Sequence, residues 1–177
     1  MSYRSRAYKL FSYSVISSFQ KHIPIRCQSL YSKTHISKIK IQAITKPYST
    51  STDRPFILGI ETSCDDTGCA IVDGKGRILG EALNSQHLVH LRNGGIIPPI
   101  AQELHRKYIE PVVNETLNSA NLTMNDIDAI ALTVKPGLPM SLMVGIKYAK
   151  YIARKFSKPI IPIHHMQAHA LMARMEN

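Results

Sequence analysis

Two short apolar runs, Phe56–Ile60 and Cys69–Val72, flank the polar stretch ETSCDDT (Glu61–Thr67), and the tetrad Asp73-Gly-Lys-Gly76 follows at once. Apolar runs of this length bounded by turn residues read as buried strands, and an Asp-Gly tetrad supports a tight reversal. With Arg77–Gln86 (RILGEALNSQ) as a third strand, the fold opens as a three-stranded meander whose first turn is rich in Thr, Ser and Asp. A loop with Gly94-Gly95 and Pro98-Pro99 comes next, and residues 100–120 carry a helical pattern through Ile100, Leu104, Tyr108, Val112 and Leu117. Asp128–Thr133 reads as a buried strand and Pro136-Gly137 as a turn. Ser141 is placed to cap a helix that runs to about Phe156 before Lys158-Pro159 stops it. Pro159–Ile163 is a last strand, and a helix starts near His165. The expected order is β-β-β-α-β-α-β-α, an α/β domain.

Charge locates that domain. The chain has 177 residues and a formal net charge of +10, yet residues 1–52 hold nine Lys or Arg and no acid, the first being Asp53. The high pI therefore belongs to a leader and does not mark the whole protein as a nucleic-acid binder. Eleven Ser, four Thr and five Tyr accompany the nine cations in residues 1–52. On a helical wheel Tyr8, Phe11, Val15 and Phe19 share a face opposite Arg6 and Lys9. That make-up predicts a mitochondrial transit peptide over 1–52, a disordered basic tail being the alternative, with Pro47–Pro55 as the linker into a domain over 53–177. No run of about 18 apolar residues occurs, so no membrane-spanning helix is expected. The three cysteines, Cys27, Cys64 and Cys69, are too few for a disulfide framework, which points to a reducing compartment. Cys64, beside Asp65 and with no identifiable base, is expected to be a packing residue.

The sharpest candidate for chemistry is His164-His-Met-Gln-Ala-His169. On a helix His165 and His169 stand at i and i+4 on one face, close enough to chelate one divalent ion, and such a pair needs a third ligand. Met166 occupies the position where zinc proteases carry the glutamate base after the first His, which argues against hydrolysis of that type. Two surface or N-capping histidines are the plainer alternative. On the helix over 141–156, Lys147, Lys150 and Arg154 share a face. It is readable either as a contact to nucleic-acid phosphates or as the solvated side of an amphipathic helix.

The element order, with an acidic Thr/Ser turn between the first two strands, resembles the ribonuclease-H-like half-domain of the actin, Hsp70 and sugar-kinase superfamily. There the first turn holds nucleotide phosphates. A short loop of exposed hydroxyls and backbone N–H groups suits that task, although a capped, solvated turn has the same composition.

Four motifs sharpen the resemblance: Ile57–Thr67, Gly94-Gly-Ile-Ile-Pro98, Pro136-Gly-Leu138 with Ser141–Gly145, and Pro162–His169, in this order. Together they closely resemble the family that installs threonylcarbamoyl on adenosine 37 of tRNA, and with the leader its mitochondrial branch. The resemblance covers residues 56 to about 176. It implies transfer of the threonylcarbamoyl group from L-threonylcarbamoyl-adenylate to N6 of that adenosine in tRNAs reading codons that begin with A. It further implies one divalent metal, zinc or iron, held through His165, His169 and an aspartate. Glu61, Thr62, Ser63, Asp65, Asp66 and Thr67 are expected to face the nucleotide side of the cleft. Location in the mitochondrial matrix and a homodimer are further expectations.

Three departures from the family pattern stand out. Gln167 replaces a common Glu near the metal, and Lys135 replaces a Gly before the Pro-Gly turn. Beyond the histidine helix the family fold continues into a second lobe that supplies the metal aspartate and most adenylate contacts. This chain is expected to hold the N-terminal lobe only, with two of three metal ligands, and Glu176 is no substitute. The competing reading is a catalytically silent lobe that binds a partner subunit. An actin-like or sugar-kinase ATPase lobe accounts for ETSCDDT but not for HMQAH.

Overall fold

The computed structural model describes residues 54–172. The expectations for the leader, including its amphipathic helix, lie outside the described residues. The strands are β1 (Ile57–Glu61), β2 (Asp66–Val72), β3 (Ile78–Ser85), β4 (Ala129–Lys135) and β5 (Ile160–His164). The helices are α1 (His87–Arg92), α2 (Pro98–Ser119), α3 (Pro139–Phe156) and α4 (His165–Met172). The strands form one sheet in the order β3-β2-β1-β4-β5. β1, β2 and β3 are antiparallel neighbours, whereas β4 runs parallel to β1 and β5 parallel to β4. This is the ribonuclease-H-like α/β half-domain that the strand pattern implied.

Side chains alternate across the sheet, as a pleated strand requires. Leu58 and Ile60 of β1 with Ile130 and Leu132 of β4 face the larger core, which is closed by Ile109, Val112 and Val113 of α2 and by Val144, Ala149 and Ile152 of α3. Ile57, Val72 and Ala131 face the other way and meet Ile163 and Ala168, so α4 covers the smaller core. The hairpin turn is pinned by Asp73, whose Oδ1 accepts the N–H groups of Lys75 and Arg77 at 2.9 and 2.8 Å. Gly76 there takes φ +86°, a left-handed conformation that glycine adopts without steric cost. The end of the expected linker is tied down. Arg54 reaches Asp128 across 2.9 Å, and the other oxygen of that carboxylate accepts the Phe56 N–H.

Three local expectations are corrected. Residues 87–92 form the extra helix α1, so the order is β-β-β-α-α-β-α-β-α; at six residues it is too short to declare a period. Pro98 and Pro99 open α2 rather than belonging to the loop, because the first helical turn has no use for their missing N–H groups. Ser141 is no cap. α3 begins at Pro139, and Ser141 lies fully buried inside its first turn.

The buried side of α2 also sits one position on from the expected stripe. Ala101, His105, Ile109, Val113 and Thr116 point inward with Val112 and Leu117, while Ile100, Leu104 and Tyr108 are half-buried. A stripe drawn through apolar residues alone passes over His105 and Thr116, which are buried because they have hydrogen-bond partners.

Candidate metal centre and the turn beneath it

β1, β4 and β5 run parallel, so their carboxyl ends emerge on one edge of the sheet, where open α/β sheets bind ligands. Glu61 ends β1, Thr133 lies near the end of β4, and His164 ends β5 with α4 following directly. The β1–β4 register pairs Ile60 with Leu132, which places Glu61 beside Thr133. Thr133 donates its hydroxyl to Glu61 Oε2, and the Ser63 N–H donates to Oε1. The carboxylate is buried, with 7% of its residue surface exposed. Burial would push its pKa up, but hydrogen bonds from His165, Ser63 and Thr133 outweigh that and hold it below the ordinary value.

His165 leans over this group. Its Nδ1 lies 3.2 Å from Ser63 Oγ and 3.4 Å from Glu61 Oε2. Its Nε2 points the other way, 3.0 Å from Nε2 of His169, with the rings edge to face at 4.5 Å between centroids. The spacing of one helical turn thus brings both imidazole nitrogens to a single point. Two nitrogens each about 2.0–2.1 Å from a tetrahedral ion stand roughly 3.4 Å apart, so a small opening of the pair admits a metal. The donor set fits two ligands of a borderline divalent ion. Among the described residues no third His, Cys, Asp or Glu completes a cluster. The Glu61 hydrogen bond raises the His165 pKa against the opposing effect of burial, while burial and then the His165 charge lower that of His169.

The rest of the 61–67 turn is not the open cradle of hydroxyls that its composition suggested. Thr62, Ser63 and Thr67 are buried and their hydroxyls engaged. Thr62 donates to the Ser141 carbonyl at 3.0 Å, and Thr67 Oγ1 lies 2.7 Å from His105 Nδ1. Asp65 and Asp66 are half-buried. Asp65 gives its carbonyl to the Gln86 N–H, and Asp66 opens β2 opposite Ser85. Of the residues singled out in the sequence, then, Glu61, Ser63, His165 and His169 come together, and Thr62, Asp65, Asp66 and Thr67 shape the loop around them.

Cys64 is exposed, not packed. Partial burial of its thiol and then the neighbouring Asp65 charge push its pKa up to about 11, which suppresses the thiolate. Lys147, Lys150 and Arg154 are exposed on α3, where they line a shallow groove with Tyr151 and Lys155. Two residues were not foreseen. His105 and Thr133 look like ordinary core-flanking positions in sequence, and only their contacts give them a place in the site.

Residues 77–177 match the model of the TsaD family, tRNA N6-adenosine threonylcarbamoyltransferase. The chain belongs to this family. A mouse relative named tRNA N6-adenosine threonylcarbamoyltransferase, mitochondrial, is 57% identical over 122 residues, covering 69% of this chain and 30% of the mouse protein. The human protein of the same name is 53% identical with the same coverage. A probable mitochondrial enzyme of that name from Arabidopsis thaliana is 42% identical over 148 residues, 82% of this chain and 31% of the plant protein. The chain thus spans about 30% of the length of the curated relatives it matches, and it is a mitochondrial member of the threonylcarbamoyltransferase family. A solved structure described as an uncharacterized protein with similarity to peptidase YeaZ, from Pseudomonas aeruginosa, superposes with a TM-score of 0.50 at 22% identity. It covers 63% of this chain and 44% of that one, and supports the fold alone. No helix among the described residues is long and apolar enough to cross a membrane.

Proposed function

We propose that this chain supplies the metal-binding lobe for transfer of threonylcarbamoyl from L-threonylcarbamoyl-adenylate to N6 of adenosine 37 in mitochondrial tRNAs that read codons beginning with A. The observation that carries the reading is the convergence of His165 and His169 Nε2, 3.0 Å apart, outside the carboxyl ends of three parallel strands in a chain of this family.

In the proposed reaction the adenine amine forms a bond to the carbamoyl carbon, the bond from that carbon to the phosphate oxygen breaks, and AMP leaves with the electron pair. The amine also gives up a proton, which passes to water. His165 and His169 would hold one zinc or iron ion, which would polarise the carbamoyl or threonyl oxygens when bound. A third ligand would come from outside the described residues. The 61–67 turn, fixed from below by Thr62, Thr67 and His105, forms the wall on the nucleotide side. Rigid placement of the donor against a weak amine nucleophile supplies rate by orientation. Residues 1–52 serve as a transit peptide directing the protein to the matrix. tRNA is the macromolecular substrate. A second copy of the chain is the proposed protein partner, favoured by the apolar side chains of Leu88 and Leu91 on α1, which are 68% and 65% exposed.

The test is threonylcarbamoyl transfer to a mitochondrial tRNA by the purified chain, given the adenylate and zinc, beside the His165→Ala/His169→Ala double variant and a full-length relative. Product from the chain that the double variant fails to make supports the reading. No product from the chain, with the relative active in the same buffer, overturns it in favour of a silent lobe that binds a partner subunit.

A further inference from the structure

Glu61 lies behind the proposed ligand His165, 3.4 Å from its Nδ1. It is a charged side chain at the end of a buried strand, where an unpaired carboxylate is costly. Three donors surround it: the Ser63 N–H on Oε1, and the Thr133 hydroxyl and His165 Nδ1 on Oε2. Two of these are placed independently of His165. Ser63 is two residues along the same turn, and Thr133 sits on the neighbouring parallel strand in adjacent register. The carboxylate is therefore held in place before His165 arrives from β5.

We propose that Glu61 is the positioning residue of the centre: it fixes the His165 ring and its tautomer so that Nε2, facing His169, keeps a free lone pair for a divalent metal.

An ionised carboxylate can only accept a hydrogen bond, so the proton of neutral His165 must sit on Nδ1. The Ser63 hydroxyl beside it can donate or accept and leaves that choice to Glu61. With Nδ1 protonated, Nε2 carries the lone pair. In the absence of a metal it accepts the Nε2–H of His169 across the observed 3.0 Å. A carboxylate behind a ligating imidazole sets ring orientation and raises basicity, and loss of such a partner typically costs about 10–100-fold in metal affinity. Glu61 opens the ETSCDDT turn, and its side chain turns toward β4 and α4. The inference rests on the metal reading given under Proposed function, and its test is built to separate the two.

The experiment uses the full chain, with zinc as the probe, in wild type, Glu61→Gln and His165→Ala. Zinc affinity is measured by competition with a chromophoric chelator. The His165 tautomer is read in the metal-free chain from imidazole nitrogen chemical shifts, and folding is monitored by circular dichroism. In Glu61→Gln the amide can still accept from Ser63 but offers its NH2 to His165 Nδ1, which drives the proton to Nε2. Zinc affinity about 10–100-fold below wild type, with the fold kept and the tautomer switched to Nε2–H, is the expected result. Unchanged affinity, or a weakened site with the Nδ1–H tautomer retained, overturns the proposal. Should Glu61→Gln fail to fold, Thr133→Val removes one anchor of the carboxylate away from the metal side; a drop in zinc affinity of up to about 10-fold is expected in the same assay, and unchanged affinity overturns the proposal. Wild type that binds no zinc yet shows the Glu61-dependent Nδ1–H tautomer keeps the positioning role and overturns the metal reading instead.

Discussion

His105 Nδ1 lies 2.7 Å from the Thr67 hydroxyl, and on the far side of the ring Nε2 lies 3.0 Å from the Cys64 carbonyl. A carbonyl can only accept, so Nε2 carries the proton and Nδ1 receives that of Thr67. One buried imidazole on α2 thus ties the middle of the loop to the start of β2 beneath the candidate metal centre.

Replacing His105 by Ala removes a fully buried ring and leaves the buried Thr67 hydroxyl unpaired, while the part-buried Cys64 carbonyl loses its donor. One buried orphan costs about 1–3 kcal/mol, and the variant is expected to lose at least that much unfolding free energy. Urea denaturation followed by circular dichroism measures this, and a loss under about 1 kcal/mol contradicts the clamp.

The same residue gives the domain a pH dependence. Burial holds the His105 pKa below its ordinary 6.5, so the unfolded chain takes up the proton first as the pH falls. Stability therefore rises with pH across this window: the contribution is intact above about 6.5 and is lost as pH falls through the folded pKa. His169, also lowered, acts in the same direction, whereas His165, raised, contributes stability that fades as the pH rises. Comparing wild type with His105→Gln from about pH 7 to about pH 5 isolates the clamp, and wild type is expected to lose stability more steeply. Parallel curves for the two proteins contradict the assignment.

Gly137 fits where no side chain can. A Cβ there would stand 2.5 Å from the Ser63 carbonyl oxygen and 2.7 Å from Ser63 Cβ, and the Leu138 N–H holds that same oxygen at 2.7 Å. Gly137→Ala must push the turn away from α3, at about 1–3 kcal/mol of stability, and displaces the Ser63 hydroxyl that faces His165. The expected readouts are a lowered urea midpoint together with weakened zinc binding. A variant as stable as wild type shows that the loop has room the structure denies.

Cys64 is exposed yet unreactive by this reading. With its pKa pushed from 9.0 to about 11, its thiolate fraction near neutral pH is about 100-fold below that of an ordinary exposed thiol. Iodoacetamide labelling of the folded chain should be slower by that factor, and Cys64→Ser should retain zinc binding. Labelling at the rate of a free cysteine contradicts the rise that burial and then Asp65 impose on this thiol.

Much of this was legible in the residues. Short apolar runs fixed five strands to within a few positions, because strand periodicity and Asp-Gly or Pro-Gly turns are local signals. The pair at 165 and 169 was legible for the same reason: one helical turn separates them, whatever they pack on. α1 was not, since six residues cannot display a period, and Leu88 and Leu91 point into solvent.

The character of the 61–67 turn was decided elsewhere. Its composition of Thr, Ser and Asp suits an open, ligand-facing loop as well as a closed one. Closure came from residues 38 to 104 positions away: His105 under Thr67, Thr133 beside Glu61, Ser141 over Thr62 and His165 above Glu61. The sequence by itself determined which segments are strands and helices and that two imidazoles share a helix face, since those depend on neighbours one turn or one pleat away. Only the tertiary structure decided which polar groups are buried and what Glu61 serves, because burial and hydrogen-bond partnership depend on the parallel β1–β4 register and on the helices laid across it.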